Sequence, residues 1–432
     1  MGLKMSLLVA AAAVMTTAVA PAAPASTVGV VTVADPFYSY TGSTPLSSIP
    51  LGTVLNTRNV TYHVEGISTP VTAQQLLYRT NNAQNQAVVN VTSIIKSPVS
   101  NGHAISYQSA YDSLSPYDEP SQVIAGDQTL GGLVYSGESI PLAVLLLAGY
   151  NIIVPDTEGQ TADFAAGPEY GMTTLDSIRA ALNTSSTGLN PSSKVALIGY
   201  SGGGIATDWA AQLAPTYAPD VNAQLVGAAE GGVLVDPAHN INYVNGSIVW
   251  GGVAPLALAG MARAFNFDLT PYLTSAGVTM LSQNQNASIV EFLPTHIGLV
   301  WQPLVKPQYA NDLDSIPAYV KYANQVNAGL AGSPTIPMYI AQGSAGFLDG
   351  TFSNLPGDGV MLAGDMRTLA RQFCASGTAV QYNEYPAEHA ITAGLWVVGM
   401  LPWVYERFAG TPAPSNCQSI PSGTSLAPET LH

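Results

Sequence analysis

Lys194-Val195-Ala196-Leu197-Ile198-Gly199-Tyr200-Ser201-Gly202-Gly203-Gly204 is the stretch that decides the fold. An apolar run with the character of a buried strand ends in Gly-x-Ser-x-Gly, and residues 205–214 continue with helical spacing. A strand, a sharp turn and a helix in that order predict a nucleophile elbow. In such a turn the serine, here Ser201, is held in a strained backbone conformation that lifts its hydroxyl off the sheet. The residues two before and two after it must be small, and Gly199 and Gly203 meet that demand. The pentapeptide alone is short enough to recur by chance; the flanking strand and helix carry the reading.

An elbow serine needs a base to take its proton, and the base needs an orienting carboxylate. On a strand-turn-helix elbow these follow in the order serine, acid, histidine. His239, His296, His389 and His432 all follow Ser201. His389 has the favoured position, in Tyr385-Pro386-Ala387-Glu388-His389 between the last expected strand and the last expected helix. The acid is expected in the loop after the preceding strand, which offers Asp349, Asp358 and Asp365. Asp365 falls inside the next predicted helix, on a face expected to be solvated. Asp349 and Asp358 both lie in the loop, and the residues by themselves leave the choice open.

Outward from the elbow, strand-like runs at 59–65, 76–80, 87–95 and 104–108 come close together and predict an antiparallel start to a sheet. Helical and buried-strand patterns then alternate: helix 140–147, strand 150–155, helix 172–182, the elbow, and strand 223–229. Such alternation predicts a mostly parallel sheet covered on both faces. It lapses from about 236 to 332, where helical runs at 253–265, 287–292 and 316–327 suggest an inserted helical cap. It returns with strand 338–341, helix 361–374, strand 380–385 and helix 391–408. The expected organisation is a core of 26–235 and 333–432 with a cap of 236–332.

Residues 1–25 read as a signal peptide: a basic start, a short apolar stretch and a small-x-small site before cleavage after Ala25. Secretion is therefore expected, with the mature chain outside the cell or in its envelope. Of the 432 residues, 47% are hydrophobic and 9% charged, and the formal net charge is −15. That balance disfavours nucleic acid as a partner, and twelve scattered basic residues make no polybasic surface for anionic lipid. The two cysteines, Cys374 and Cys417, are expected to pair in an oxidising compartment; two free buried thiols are the alternative. No clustered ligands or phosphate-binding loop stand out, so no metal or organic cofactor is expected. The protein is expected to act as a monomer.

Several segments resemble the secretory lipase family related to Candida antarctica lipase A, a branch of the α/β-hydrolases. They include Asp35-Pro36-Phe37-Tyr38, Tyr107-Gln108 with Asp112, and Pro155-Asp156-Thr157-Glu158-Gly159. Others are Leu175-Asp176-Ser177-Ile178-Arg179-Ala180, residues 193–206 with Tyr217-Ala218-Pro219, and residues 386–389. The resemblance implies the α/β-hydrolase fold, with a mostly parallel sheet and an inserted helical cap. It places the nucleophile on Ser201, the acid on Asp358, sixteen residues before Cys374, and the base on His389. It also implies an oxyanion hole made by Gly202 and Asp112, whose carboxyl must then be protonated in an apolar setting.

Three departures from the family pattern stand out. Asp118-Glu119-Pro120-Ser121 lacks a cysteine that relatives often carry, and residues 346–356 form an extra loop that keeps Asp349 in play as the acid. The sequence as read ends soon after Cys417, so the flap that the namesake lipase carries near its site is not expected, and neither is interfacial activation. The expected activity is hydrolysis of lipid or other acyl esters, with a lipid–water interface as a possible setting. Trp250, Phe265, Phe267, Phe292 and Trp301 are candidates for an acyl pocket, or equally for plain core. The alternatives are an exported acyltransferase using the same triad, and a non-catalytic surface or binding protein.

Overall fold

Ser201 stands at the carboxyl end of a central buried strand. The computed structural model describes residues 31–432, so the expected signal peptide lies outside the described residues. Among the described residues nine strands form one sheet: β1 Val54–Val64, β2 Ile67–Asn81, β3 Ala87–Ile95, β4 Ala104–Gln108, β5 Asn151–Pro155, β6 Val195–Tyr200, β7 Leu225–Gly231, β8 Met338–Gly343 and β9 Val380–Tyr385. Their order is β1-β2-β3-β5-β4-β6-β7-β8-β9. The first three strands and the β3–β5 pair are antiparallel, and from β5 to β9 every pair is parallel. β4, β5, β6 and β8 are buried along their whole length, as their near-continuous apolar sequences require when helices cover both faces.

The antiparallel part is longer than the sequence pattern suggests. β1 and β2 form one hairpin across Glu65-Gly66, whose φ values of 49° and 71° suit a tight two-residue turn. Residues 66–75, rich in Ser, Thr and Gln with a proline, had no strand pattern of their own. Pro70 is tolerated because the ladder is irregular between Thr61 and His63, where the missing N–H costs no regular bond. The helix expected at 140–147 runs over Leu133–Leu147 and contains Pro141; that over 172–182 runs over Gly167–Leu182.

Between β7 and β8 the chain adds no strand to the sheet. It forms helices such as Val253–Ala264, Ser275–Gln283 and Pro317–Val326 instead. Cys374, in helix Ala363–Ala375, is joined to Cys417 by a disulfide. The tail beyond it packs down, with Leu426 buried against Gly329 and Glu429 N–H bonded to Asn324. Among the described residues no helix is long and apolar enough to cross a membrane.

The core holds many carboxyls. Burial pushes Asp156, Asp208 and Glu138 up to about 7 and Asp163 up to about 6, against about 4 in an unfolded chain. The folded state therefore binds more protons than the unfolded state between these values, so stability falls as pH rises from about 4 to 7. Relief of the −15 net charge on acidification acts in the same direction. The thermal midpoint is expected to stand roughly 5 °C or more higher at pH 5 than at pH 8. Melting curves across that range check it; a flat or inverted profile refutes it.

Candidate active site

β6 delivers Ser201 into a turn with φ 57° and ψ −123°, a region that L residues avoid unless their surroundings enforce it. The enforcement is visible on both sides. Ser201 N–H donates to the Gly231 carbonyl at 2.9 Å, and helix Gly202–Tyr217 starts at the next residue. A Cβ on Gly199 would strike the carbonyl of Gly203, and one on Gly203 would strike the carbonyl of Gln108. The elbow glycines thus answer a backbone-to-backbone demand that no side-chain rotation could relieve.

His389 reaches Ser201 from β9's side of the sheet. It is the first residue of the last helix, His389–Phe408, rather than part of a loop. Glu388 caps that helix, its carboxylate accepting from Ala390 N–H at 2.6 Å and Ile391 N–H at 2.7 Å, which fixes the backbone that carries the imidazole. Tyr200 adds a second restraint, donating its hydroxyl to the His389 carbonyl at 2.8 Å. Nε2 of His389 lies 2.9 Å from Ser201 Oγ, and Nδ1 lies 2.7 Å from Asp358 Oδ2. Asp358 is fully buried, and its other oxygen accepts from Val360 N–H at 3.0 Å and Met361 N–H at 2.7 Å. Burial opposes charging of His389, but the negative field of Asp358, with Asp112 and Asp349 behind it, raises its pKa overall.

Asp349 is placed differently. Its Oδ2 accepts the indole N–H of Trp250 at 2.8 Å, and the Trp250 ring meets His389 edge-on with centroids 5.3 Å apart. The extra loop therefore touches the imidazole indirectly, through a tryptophan from the β7–β8 segment.

Asp112 and Gly202 also come together. The Asp112 carboxyl lies over Gly202, so closely that a Cβ there would collide with it. Asp112 has a positive φ of 37° and is 6% exposed. Burial pushes its pKa up to about 8, with Glu138 adding to the effect and His389 opposing it. Gly202 opens its helix, where backbone N–H groups have no intrahelical acceptor. Glu158, which accepts from Ser113 N–H and the Tyr170 hydroxyl, is a further buried carboxyl beside Asp112 with a strongly raised pKa. The roles of Glu138, Glu158, Glu388 and Tyr200 were not read from the sequence. Only the Glu-His adjacency and the tyrosine inside the elbow could have signalled two of them.

From Ser201 and Asp112 a cavity of about 140 Å³ extends into the β7–β8 segment. Trp250, Phe267 and Trp301 of the candidate aromatics line it, together with Tyr319, Tyr322 and Met361. Phe265 and Phe292 do not: Phe265 stacks on Tyr322 and Phe292 on His296. Among the described residues, Asp112 is the single Asp, Glu, Lys or Arg in the wall.

The remaining histidines are engaged elsewhere. His239 Nδ1 lies 3.1 Å from Asp365, and that hydrogen bond, with further carboxylates around it, pushes the imidazole up to about 9. Asp365 is consequently buried and not on a solvated face, because His239 and the Thr424 hydroxyl converge on it from other segments. His239 also stands near Asp236 and Glu429. His432 is exposed beside Asp312.

Residues 127–416 match the secretory lipase family model, a span that contains Ser201, Asp358 and His389 and leaves Asp112 just ahead of it. The chain is 31% identical over 395 residues to a Mycobacterium tuberculosis protein named "Probable inactive lipase", covering 88% of this chain and 82% of that one. It is 27% identical over 406 residues to Lipase 5 of Candida albicans, covering 89% and 83% respectively. The crystal structure of Candida antarctica lipase A in its closed state superposes with a TM-score of 0.76 at 27% identity, covering 90% of each chain. The fold is thus that of an α/β-hydrolase, and the chain belongs to the secretory lipase family, whose enzymes are lipase-like carboxylic ester hydrolases.

Proposed function

We propose that the protein is a secreted serine hydrolase of apolar acyl esters, working through an acyl-enzyme. The observation that carries this reading is His389 bridging Ser201 Oγ and buried Asp358 at the polar end of an apolar cavity. Ser201 Oγ attacks the ester carbonyl carbon while its proton passes to His389 Nε2. Asp358 holds the imidazole with Nδ1 protonated and stabilises the imidazolium. The carbonyl oxygen, now negative, is met by the Gly202 N–H and the protonated carboxyl of Asp112. Collapse expels the alcohol, which takes the proton from Nε2. A water deprotonated by His389 then releases the acid and frees Ser201. Residues 236–332 serve as the cap on a core formed by the described residues before 236 and by 333–432, and supply most of the acyl pocket.

Catalytic silence is the second reading, motivated by the name of the mycobacterial relative. Hydrolysis of p-nitrophenyl esters from acetate to decanoate separates the two. Each methylene buried in the cavity gains up to about 0.8 kcal/mol, a factor of about 4, so kcat/KM should climb steeply with chain length until the cavity is full. No turnover of any ester sinks the hydrolase reading, and product diverted wholly to an added alcohol points to acyl transfer.

The pH profile adds a sharper check. Activity should rise as His389 loses its proton, above its ordinary value because its pKa is raised, and fall as Asp112 ionises near 8. Asp112→Asn keeps a donor that cannot ionise, so its alkaline limb should vanish. A limb near 8 that persists in this variant removes Asp112 from the oxyanion hole.

A further inference from the structure

Around Trp250, three loops expose large apolar side chains that fold stability does not require. Phe352 is 80% exposed, Ile297 68%, Phe347 63%, Leu348 56% and Ile248 49%. Leaving them in water is unfavourable, and large apolar side chains gathered on adjoining loops mark a surface suited to being covered. The loops are joined by their backbones. Ile248 N–H donates to the Gly350 carbonyl at 3.2 Å, Val249 N–H to Asp349 at 3.2 Å, and Gly298 N–H to Ile248 at 3.2 Å. Ser344 and Ala345 N–H both donate to the Ala387 carbonyl at 3.1 Å, two residues before His389. Ser247 and Thr351 hydroxyls meet at 2.6 Å, and Trp250 is held by Asp349 while lining the cavity and touching His389. The patch is therefore a built rim beside the Ser201 end of the cavity.

Its charge says what it fits. Residues 246–251, 296–300 and 346–356 contain no Lys or Arg. Their one carboxylate, Asp349, accepts the indole N–H, and their one histidine, His296, is stacked on Phe292 with centroids 3.7 Å apart. With −15 on the whole chain, attraction to an anionic surface is excluded as the driving force. An uncharged, fixed apolar rim next to an apolar acyl cavity fits a neutral or zwitterionic lipid surface.

We propose that these three loops form a permanent lipid-docking rim, with Phe347 and Phe352 of the loop 346–356 as its anchors. The proposal rests on the ester-hydrolase reading, since the rim seats the Ser201 end of the cavity where acyl chains would enter from the lipid.

The test separates docking from catalysis. Full-length Ser201→Ala protein, which cannot remodel the lipid, is mixed with phosphatidylcholine vesicles, phosphatidylglycerol vesicles and triolein droplets. Binding to phosphatidylcholine and triolein is expected, with no preference for phosphatidylglycerol. Adding Phe347→Ser and Phe352→Ser should weaken it at least tenfold. In the Ser201 background, the same two changes should leave p-nitrophenyl acetate hydrolysis within about twofold while emulsion hydrolysis falls about tenfold. Both side chains are exposed, so an unchanged thermal midpoint is expected. Three results overturn the proposal: lipid binding that ignores the double change, salt-sensitive preference for phosphatidylglycerol, or a wild-type dimer that the double variant dissociates. If the wild type hydrolyses no ester yet binds lipid through these residues, the hydrolase reading fails and docking stands.

Discussion

Ser201→Ala is expected to lower kcat/KM for p-nitrophenyl octanoate by a factor of about 10⁴ to 10⁶, with the thermal midpoint unchanged. The argument is chemical first. On the proposed mechanism, loss of Oγ removes the acyl-enzyme and leaves only the contribution of Gly202, Asp112 and the cavity to a direct attack by water. The loss should appear in kcat, because the acyl cavity is untouched and the substrate still binds. The structural argument explains the silent melting curve. Alanine meets the same backbone penalty as serine at φ 57°, and the Ser201 N–H bond to Gly231 involves no side chain. A variant that hydrolyses at the wild-type rate would end the case for Ser201.

Asp358→Asn should cost about 10⁴ in kcat, whereas Asp349→Asn should cost less than about tenfold. The difference follows from what each carboxyl touches. Oδ1 of Asp358 receives two backbone N–H groups, so an asparagine must turn its amide oxygen toward Val360 and Met361. Its NH₂ group then faces Nδ1 of His389 and demands an acceptor there, which forces the proton onto Nε2. An imidazole in that tautomer cannot accept the proton of Ser201. Asp349 reaches the imidazole only through Trp250, and an amide oxygen can still accept the indole N–H. Removing its charge also removes one of the fields that raise the His389 pKa, so the acid limb of the Asp349→Asn profile should shift to lower pH. Equal losses in the two variants, or a larger loss at Asp349, would reverse the assignment.

Legibility in the sequence followed the range of the interaction concerned. The elbow was readable because part of its constraint is local: residues 199, 201 and 203 lie within one turn, and a Cβ on Gly199 would strike the Gly203 carbonyl, although the clash at Gly203 is with the distant Gln108. The parallel part of the sheet was readable because strands covered on both faces must be apolar throughout. The first half of β2 was not, because it begins in polar residues that stay partly exposed and pair only through β1. The choice between Asp349 and Asp358 could not be made from residue types, since both are aspartates in one loop. The family resemblance favoured Asp358, and the fold brings that residue to His389 while turning Asp349 to Trp250.

The sequence by itself determined the α/β architecture and the strand-turn-helix pattern around Ser201, because periodicity and turn sterics act over a few residues. Tertiary structure alone decided the rest. It buried Asp112 over Gly202 and so raised its pKa. It closed His239 onto Asp365 across 126 residues, and drew the cavity wall from segments as distant as Phe164 and Met361. Burial and proximity between remote segments set the desolvation and fields on which acid–base chemistry depends, and a linear pattern carries neither.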